Sequence, residues 1–475
     1  ISHTQPLFNT ITYKTEKYGH NCNKQVWGLW ADNNRQIWLG GEGELGIYKE
    51  GKEIEIIPLN QCRLNKQTHI SVIHQDKHGD LWLGTHKHGV AIYHPDTKRI
   101  TCIGDDKDGS LDILCFYEDT DGKIWIGTQS GLYSAYNREL TQEDKINRLL
   151  TNKGIRSILK DKNGKLWIGA KGLFLFDDKG QLFQELTTEQ SFPIRSVNYL
   201  MEDSRKRIWV GTNDGILVFR DASHLEDYSH YGTKEGLQNT NVRAIQEDHD
   251  GTIWLSTNAG ISRLDEKTKT FYNYNHYDGV PMGDFMDGST CISTDGILYF
   301  GSQGGACYFT PGEVNSIRKP APVTITQFSI YDKQTESKDT EHPLPLTDAN
   351  IQLPYNQNTF KISFNVLDYA ISSQVEFSYI LEGLENTWYN TQGEKQIIFR
   401  NIPPGHYTFK VKTRLRNQEW EKDEATLHIR ITPPFWLSWY AKLIYALLII
   451  LIIYGVSRFY KRKLDLESSL EVERK

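Results

Sequence analysis

Four side chains suited to holding a sugar stand at one repeated register of this 475-residue chain. Trp27, Arg156, Asn198 and Arg243 each follow a Val or Ile (Val26, Ile155, Val197, Val242), and each of those lies six residues before an Asp. An indole offers an apolar platform for a sugar ring, while guanidinium and amide groups donate to hydroxyl or acidic oxygens. Ser71 and Leu114 hold the same register in two further copies. A second recurrent position contributes His86 and His88, with Glu42, Gln129, Asn213, Asp214, Asn258 and Gln303. This is binding chemistry. Glycoside cleavage needs converging acid and base groups, and no unrepeated carboxylate pair stands out, so no catalytic residue is assigned.

Metal chemistry is weakly represented. DTDG (119–122) and DHDG (248–251) share two carboxylates and a glycine with EF-hand loops. They lack the acidic twelfth position and the flanking helices, and are read as hairpin turns. His69, His74, His78, His86 and His88 gather in one copy without a second ligand set at firm spacing, so neither a metal nor a cofactor is assigned.

The elements that position these groups repeat along the chain. Trp38, Trp82, Trp125, Trp167, Trp209 and Trp254 recur at intervals of 42 to 45 residues, and Tyr299 takes the seventh place. Six residues before each Trp stands an Asp: Asp32, Asp76, Asp119, Asp161, Asp203 and Asp248. An apolar strand A leads to the Asp, and a hairpin such as DKNGK follows. Strand B carries the Trp with Gly or Ser two residues later, and strands C and D complete a unit. Four short strands at this period mark an all-β seven-bladed propeller, predicted over residues 1–311. The seventh copy, near 286–309, lacks its outer strand. Residues 7–14 (LFNTITYK) are expected to supply it and close the ring. The residues after the strand A Val/Ile and those in the B–C turns then share one face, around the mouth of the central channel.

Residues 312–434 lose the Trp repeat and read as alternating strands with Pro, Gly and Asn turns, a β-sandwich. Residues 435–457 are apolar, flanked by Trp436, Trp439 and Tyr440 at one end and Phe459 and Tyr460 at the other. That length suits a transmembrane helix. Arg458, Lys461, Arg462 and Lys463 follow, which places the C-terminus in the cytoplasm and the propeller outside. Residues 458–475 read as the start of a cytoplasmic juxtamembrane helix. Net charge is -6, with no basic stretch in the repeats, which argues against nucleic acid as a partner of this portion. The six cysteines show no CxxC spacing and read as isolated apolar residues. The chain begins at Ile and reads as a processed or cut piece of something longer.

The repeats resemble the two-component regulator propeller repeat. Tyr379, Leu381, Gly383, Trp388, Asn401, Pro404, Gly405, Tyr407 and Phe409 resemble the pattern of the Y_Y_Y domain. Propeller, Y_Y_Y domain, membrane helix and charged helix in this order resemble the extracytoplasmic sensor portion of Bacteroidetes hybrid two-component systems. The resemblance implies a periplasmic sensor, single-pass in the inner membrane and homodimeric. It would bind an oligosaccharide or polysaccharide fragment and drive a cytoplasmic histidine kinase controlling transcription, in polysaccharide utilisation. Two propellers are usual in that family, and one is present here. Related single-propeller proteins carry a LuxR-type DNA-binding domain or a diguanylate cyclase as output. A propeller-type carbohydrate-active enzyme and a passive binding scaffold are the competing readings.

Overall fold

The computed structural model describes residues 7–473, apart from 13, 18–19, 24, 62–63, 104–110, 148, 151–152, 178, 189–191, 193, 316–321, 333–334, 339–348, 367–374, 392–393 and 416–419. The chain divides into two compact units, Ile1–Ile317 and Arg318–Lys475.

The first unit is a β-propeller with seven four-stranded antiparallel sheets among the described residues. Blade two is typical: strand A is Ile70–Gln75, B Leu81–Thr85, C Val90–His94 and D Arg99–Ile103. Strand A of each blade packs against strand A of the next, and blade seven returns to blade one. Blade seven takes Phe285–Ile292, Leu298–Ser302 and Gly305–Phe309 from its own copy. Its outer strand is Asn9–Ile11, which pairs with 306–308. Phe8 anchors that strand, fully buried against Phe309 and Tyr274 at ring distances of 4.6 and 5.0 Å. Lys14 does not belong to it. Lys14–Lys17 instead forms a separate hairpin with His20–Asn23. Tyr13 lies outside the described residues.

The six-residue interval between Asp and Trp has a physical cause. In blade four, Asp161 Oδ1 accepts the backbone N–H groups of Asn163 and Lys165, both at 2.9 Å, while Oδ2 accepts Trp167 Nε1 at 2.9 Å. One carboxylate thus fixes the hairpin and satisfies the indole that strand B carries back into the wedge. A buried carboxylate and a buried indole N–H would each be costly alone. The Trp–Asp contact recurs in blades one, two, five and six at 2.8–3.2 Å. The DHDG turn belongs to this set: Asp248 accepts the N–H groups of Asp250 and Thr252.

Blade three departs from the rule. Asp119 accepts Lys160 Nζ of blade four at 2.6 Å, and Trp125 Nε1 is buried without a partner. Lys123 lies over the Trp125 ring instead, 3.8 Å from its centroid. Burial opposes ionisation of Asp119, but its hydrogen bonds from Lys160 and Thr120 outweigh this and hold its carboxyl below the usual range. In blade seven Ser293 replaces the Asp and accepts the Ile297 N–H.

The glycine two residues after five of the six Trps, replaced by Ser256 after Trp254, has a second cause. A Cβ at Gly169 would come 2.5 Å from Val197 Cγ1, and one at Gly84 would come 2.7 Å from Ile113 Cγ2. The glycine of one blade and the Val/Ile of the next are therefore two halves of one close contact. Gly169→Val is expected to cost about 1–3 kcal/mol through overpacking, read as a lower urea midpoint. An unchanged midpoint would contradict this account of blade packing.

The four cysteines whose side chains are described are free thiols, and those of Cys22 and Cys62 lie outside the described residues. Burial pushes the Cys115 thiol up to about 12, and Cys291 and Cys307 are raised for the same reason.

The second unit contains a two-sheet sandwich. One sheet orders Thr335–Lys338, Val323–Asp332, Phe360–Val366 and Gln396–Phe399. The other orders Ala349–Leu353, Glu424–Ile431, Gly405–Leu415, Val375–Glu382 and Tyr389–Thr391. Phe364, Phe377, Phe409 and Ile429 fill the space between them. Tyr407 donates its hydroxyl to Pro403 O at 2.7 Å and locks the turn before its strand. Gly383 needs its φ of +95°, since a Cβ there would lie 2.6 Å from His406 O.

A helix, Trp439–Glu473, follows directly. Within its segment Trp439–Leu464, a stretch of 18 residues has a mean hydropathy of 2.0, and none of those residues is buried. At 1.5 Å per residue the whole segment exceeds the roughly 30 Å of a bilayer core. Phe435–Leu437 form a 3₁₀ turn rather than helix. The junction is fixed on both sides. Thr432 N donates to Leu353 O at 2.8 Å, and Trp436 meets Tyr355 edge-on with ring centroids 5.1 Å apart.

Candidate functional site

The register that carries Trp27, Arg156, Asn198 and Arg243 is a line of β-bulges and strand entries. The A–B pairing skips one residue between Ile70 and Val72, Ile113 and Cys115, Val197 and Tyr199, and Val242 and Ala244. The skipped residues are Ser71, Leu114, Asn198 and Arg243. A bulge re-aims its side chain, so this position escapes the alternation that fills the wedges. Trp27 and Arg156 precede their strands but reach the same level. Their N–H groups bond Gly40 O and Gly169 O, both at 2.9 Å. B–C turns join D–A loops here: His86 N bonds His69 O, and Gln129 N bonds Asp112 O, both at 3.0 Å.

Three of the four residues fall into one polar network. Arg156 Nη1 donates to Asn198 Oδ1 at 3.1 Å. Asn198 is almost fully buried, and its amide nitrogen reaches Val242 O, Asn213 Oδ1 and Asn241 Oδ1. Asn198 therefore positions Arg156 rather than facing solvent. Arg243 Nε donates to Asn258 Oδ1 at 2.7 Å. Ser71 is likewise internal, its hydroxyl donating to Ile113 O and Gly84 O.

Asp287 is the site residue that the repeat analysis missed. Its carboxylate receives Arg243 Nη1 at 2.7 Å and lies 3.8 Å from Arg156 Nη1. Blades four, six and seven are thereby joined at the channel mouth. Strand A of blade seven breaks its pairing between Phe285 and Thr290, and the unpaired residues carry Asp287 inward. Gly288, at φ +67°, sits against Tyr199 of blade five. A signal was present: six residues before Ser293, where the other copies have Val or Ile, this copy has Asp287.

Trp27 and the histidines form a second group. Trp27 is 36% exposed and meets His69 edge-on at 6.4 Å, and His69 meets His86 at 6.3 Å. His86 Nδ1 is 3.0 Å from Asp112 Oδ1, and His69 Nε2 is 3.9 Å from Glu42. His88 is half-buried, with no hydrogen bond or ion pair among the described residues. No group of three or more His, Cys, Asp or Glu capable of holding a metal occurs among the described residues.

A separate pair lies deeper. His74 Nε2 is 3.0 Å from Glu118 Oε2, with Trp30 edge-on to the imidazole at 5.1 Å. Burial lowers the His74 pKa from its ordinary 6.5, and Glu118 offsets this only in part. The unfolded chain then holds this proton more tightly than the folded one, so stability is lost as pH falls below 6.5 toward the lowered folded value. His74→Gln is expected to flatten the stability profile in that window. A urea-midpoint series with the same slope in both proteins would contradict this.

Residues 109–130, 149–172, 191–214 and 236–259 match the two component regulator propeller, and residues 368–432 match the Y_Y_Y domain. A curated relative, Histidine kinase P4 of Formosa agariphila, is 28% identical over 423 residues, spanning 85% of this chain and 27% of that protein. Among solved structures, one described as the extracellular domain of the hybrid two component system BT3049 from B. thetaiotaomicron is 35% identical with a TM-score of 0.81. The match covers 91% of this chain and 58% of that one. The extracellular domain of BT4673 from the same organism superimposes with a TM-score of 0.52 at 20% identity, over 91% and 59% of the two chains, a likeness of fold. The chain thus spans a little over a quarter of the curated relative and under two thirds of these structures.

Proposed function

Because the chain joins two component regulator propeller repeats to a Y_Y_Y domain and resembles the extracellular domain of a hybrid two component system, we propose that it is the sensor portion of a membrane-anchored signalling protein. The propeller mouth holds a saccharide on the periplasmic side. The helix crosses the inner membrane once, with its C-terminus in the cytoplasm, and passes the signal to a histidine kinase or another output module. The chain works as a homodimer, in which ligand alters the spacing of two sandwiches and hence of two helices.

One observation carries this reading. The sandwich passes into an exposed apolar helix through residues 432–438, and that junction is held by Thr432 on Leu353 and Trp436 on Tyr355. A short, docked junction transmits rotation or separation better than a flexible linker. The half-exposed indole of Trp27 and the guanidinium donors of Arg156 and Arg243, all on the register at the mouth, support saccharide binding. The repeated aspartates are occupied by hairpin amides, indoles and, in blade three, a lysine, which removes these carboxylates as candidates for the acid and base of an enzyme.

The test is a saccharide panel titrated calorimetrically into the full chain in lipid nanodiscs, with products followed by chromatography. Binding without turnover is expected. Turnover would replace the receptor by an enzyme, and no binding at all would leave a scaffold.

A further inference from the structure

From the convergence of Arg156 and Arg243 on Asp287, we infer that the mouth takes a saccharide bearing an acidic group, a carboxylate or a sulfate, and that Asp287 is an internal counter-ion which this group displaces or joins. The inference rests on the saccharide-sensor reading and narrows it to a ligand class.

Two guanidiniums share one carboxylate. The three groups carry a net positive charge, and the sharing is uneven: Arg243 is held at 2.7 Å, while Arg156 stands at 3.8 Å. Arg156 is 42% exposed and uses only Nη1 on Asn198 and Asp287. Its Nε and Nη2 find no protein acceptor among the described residues, and neither does Nη2 of Arg243. A planar fork of unfilled donors is the geometry that carboxylate and sulfate oxygens match. Hydroxyl groups fit such forks less well, since they bring no charge to balance.

Both arginines are also built into place. Asn198, buried and bonded four ways, fixes the Arg156 head, and Asn258 fixes Arg243 through Nε. A pre-set pair of cations loses little side-chain freedom when it meets an anion. The bulge that presents Asp287 turns on Gly288 at positive φ and interrupts the blade seven ladder between 285 and 290. Asp287 thus rides on backbone that the sheet does not hold. The acids of the other group at the mouth, Glu42 and Asp112, each face a histidine.

The experiment uses the full chain in zwitterionic nanodiscs at constant ionic strength. The probes are a glucuronate-terminated disaccharide, a 6-sulfated disaccharide, the corresponding neutral disaccharides and inorganic sulfate. The expected result is that the acidic disaccharides bind and the neutral ones bind at least tenfold more weakly, the difference that one charge-assisted hydrogen bond provides. Asp287→Asn tightens the acidic probes about three- to tenfold by removing a competing exposed carboxylate, and Arg156→Ala weakens them. The carboxylate and sulfate arms decide which acidic group is preferred. Binding of inorganic sulfate as tight as that of the disaccharides would overturn the inference in favour of a bare anion site. Mouth-dependent binding of neutral probes alone would overturn it while leaving the saccharide sensor standing. Failure of every probe, with thermal midpoints showing folded variants, would overturn both.

Discussion

Trp209→Ala is expected to destabilise the propeller by about 3–5 kcal/mol, the range for deleting a large buried aromatic. Trp209 is fully buried, stacks on Tyr231 at 6.5 Å and 14°, and donates Nε1 to Asp203 at 2.8 Å. The substitution opens a cavity between blades five and six and removes one donor from a buried carboxylate. Arg207 would remain on Asp203 through Nε at 2.7 Å, which keeps the charge paired. Trp209→Phe separates the two effects. It restores most of the volume and leaves the unmet oxygen, so its loss should be about 1–3 kcal/mol. Urea unfolding followed by tryptophan fluorescence measures both. Equal losses for the two variants would place the whole effect in the hydrogen bond, and a loss under 1 kcal/mol for Trp209→Ala would contradict the blade-core role.

The double substitution Arg156→Ala with Arg243→Ala is expected to weaken saccharide binding by about a hundredfold or more, since charge-assisted hydrogen bonds contribute roughly 1.5–3 kcal/mol each. Stability should change little, because Arg156 is 42% exposed and the Arg243–Asp287 pair is partly exposed, at 22% and 37%, and such ion pairs contribute at most about 1 kcal/mol. The combination matters. A fall in affinity with an unchanged unfolding midpoint assigns the effect to the mouth, whereas parallel losses would reduce the network to a structural clasp. Asn198→Ala offers a contrast. Its amide joins four groups in the interior, so it should lower the midpoint as well as the affinity.

The ring was legible because its repeat is a packing repeat. Asp, Trp and Gly recur at fixed intervals because of the contacts they make: carboxylate to indole in five of the six Trp-bearing blades, indole to wedge, and glycine, where present, to the next blade's Val or Ile. The bulge register was legible too, since variable residues at an invariant place stand out against that background. Asp287 was marked only by standing where the other copies have Val or Ile; that it reaches the mouth depends on a strand that leaves its ladder for several residues, which no local propensity marks. The hairpin Lys14–Lys17 with His20–Asn23 was missed for a similar reason: its residues are polar and carry no alternation. The directions in which Asn198 and Ser71 turn do not follow from position alone. A bulge side chain can turn toward the neighbouring blade as readily as toward the channel, and these two do.

The account stands on transmission from the mouth to the helix, and cross-linking reads that transmission directly. Single cysteines placed along 457–464 of the full chain in nanodiscs report the spacing of two helices. With a saccharide that calorimetry shows to be bound, the cross-linking pattern is predicted to shift. Insertion of two residues after Tyr440, inside the helix, turns everything beyond it by about half a turn and should abolish the shift, while insertion of four, close to a whole turn, should keep it. The same pattern with and without bound saccharide, unaltered by either insertion, would contradict the account.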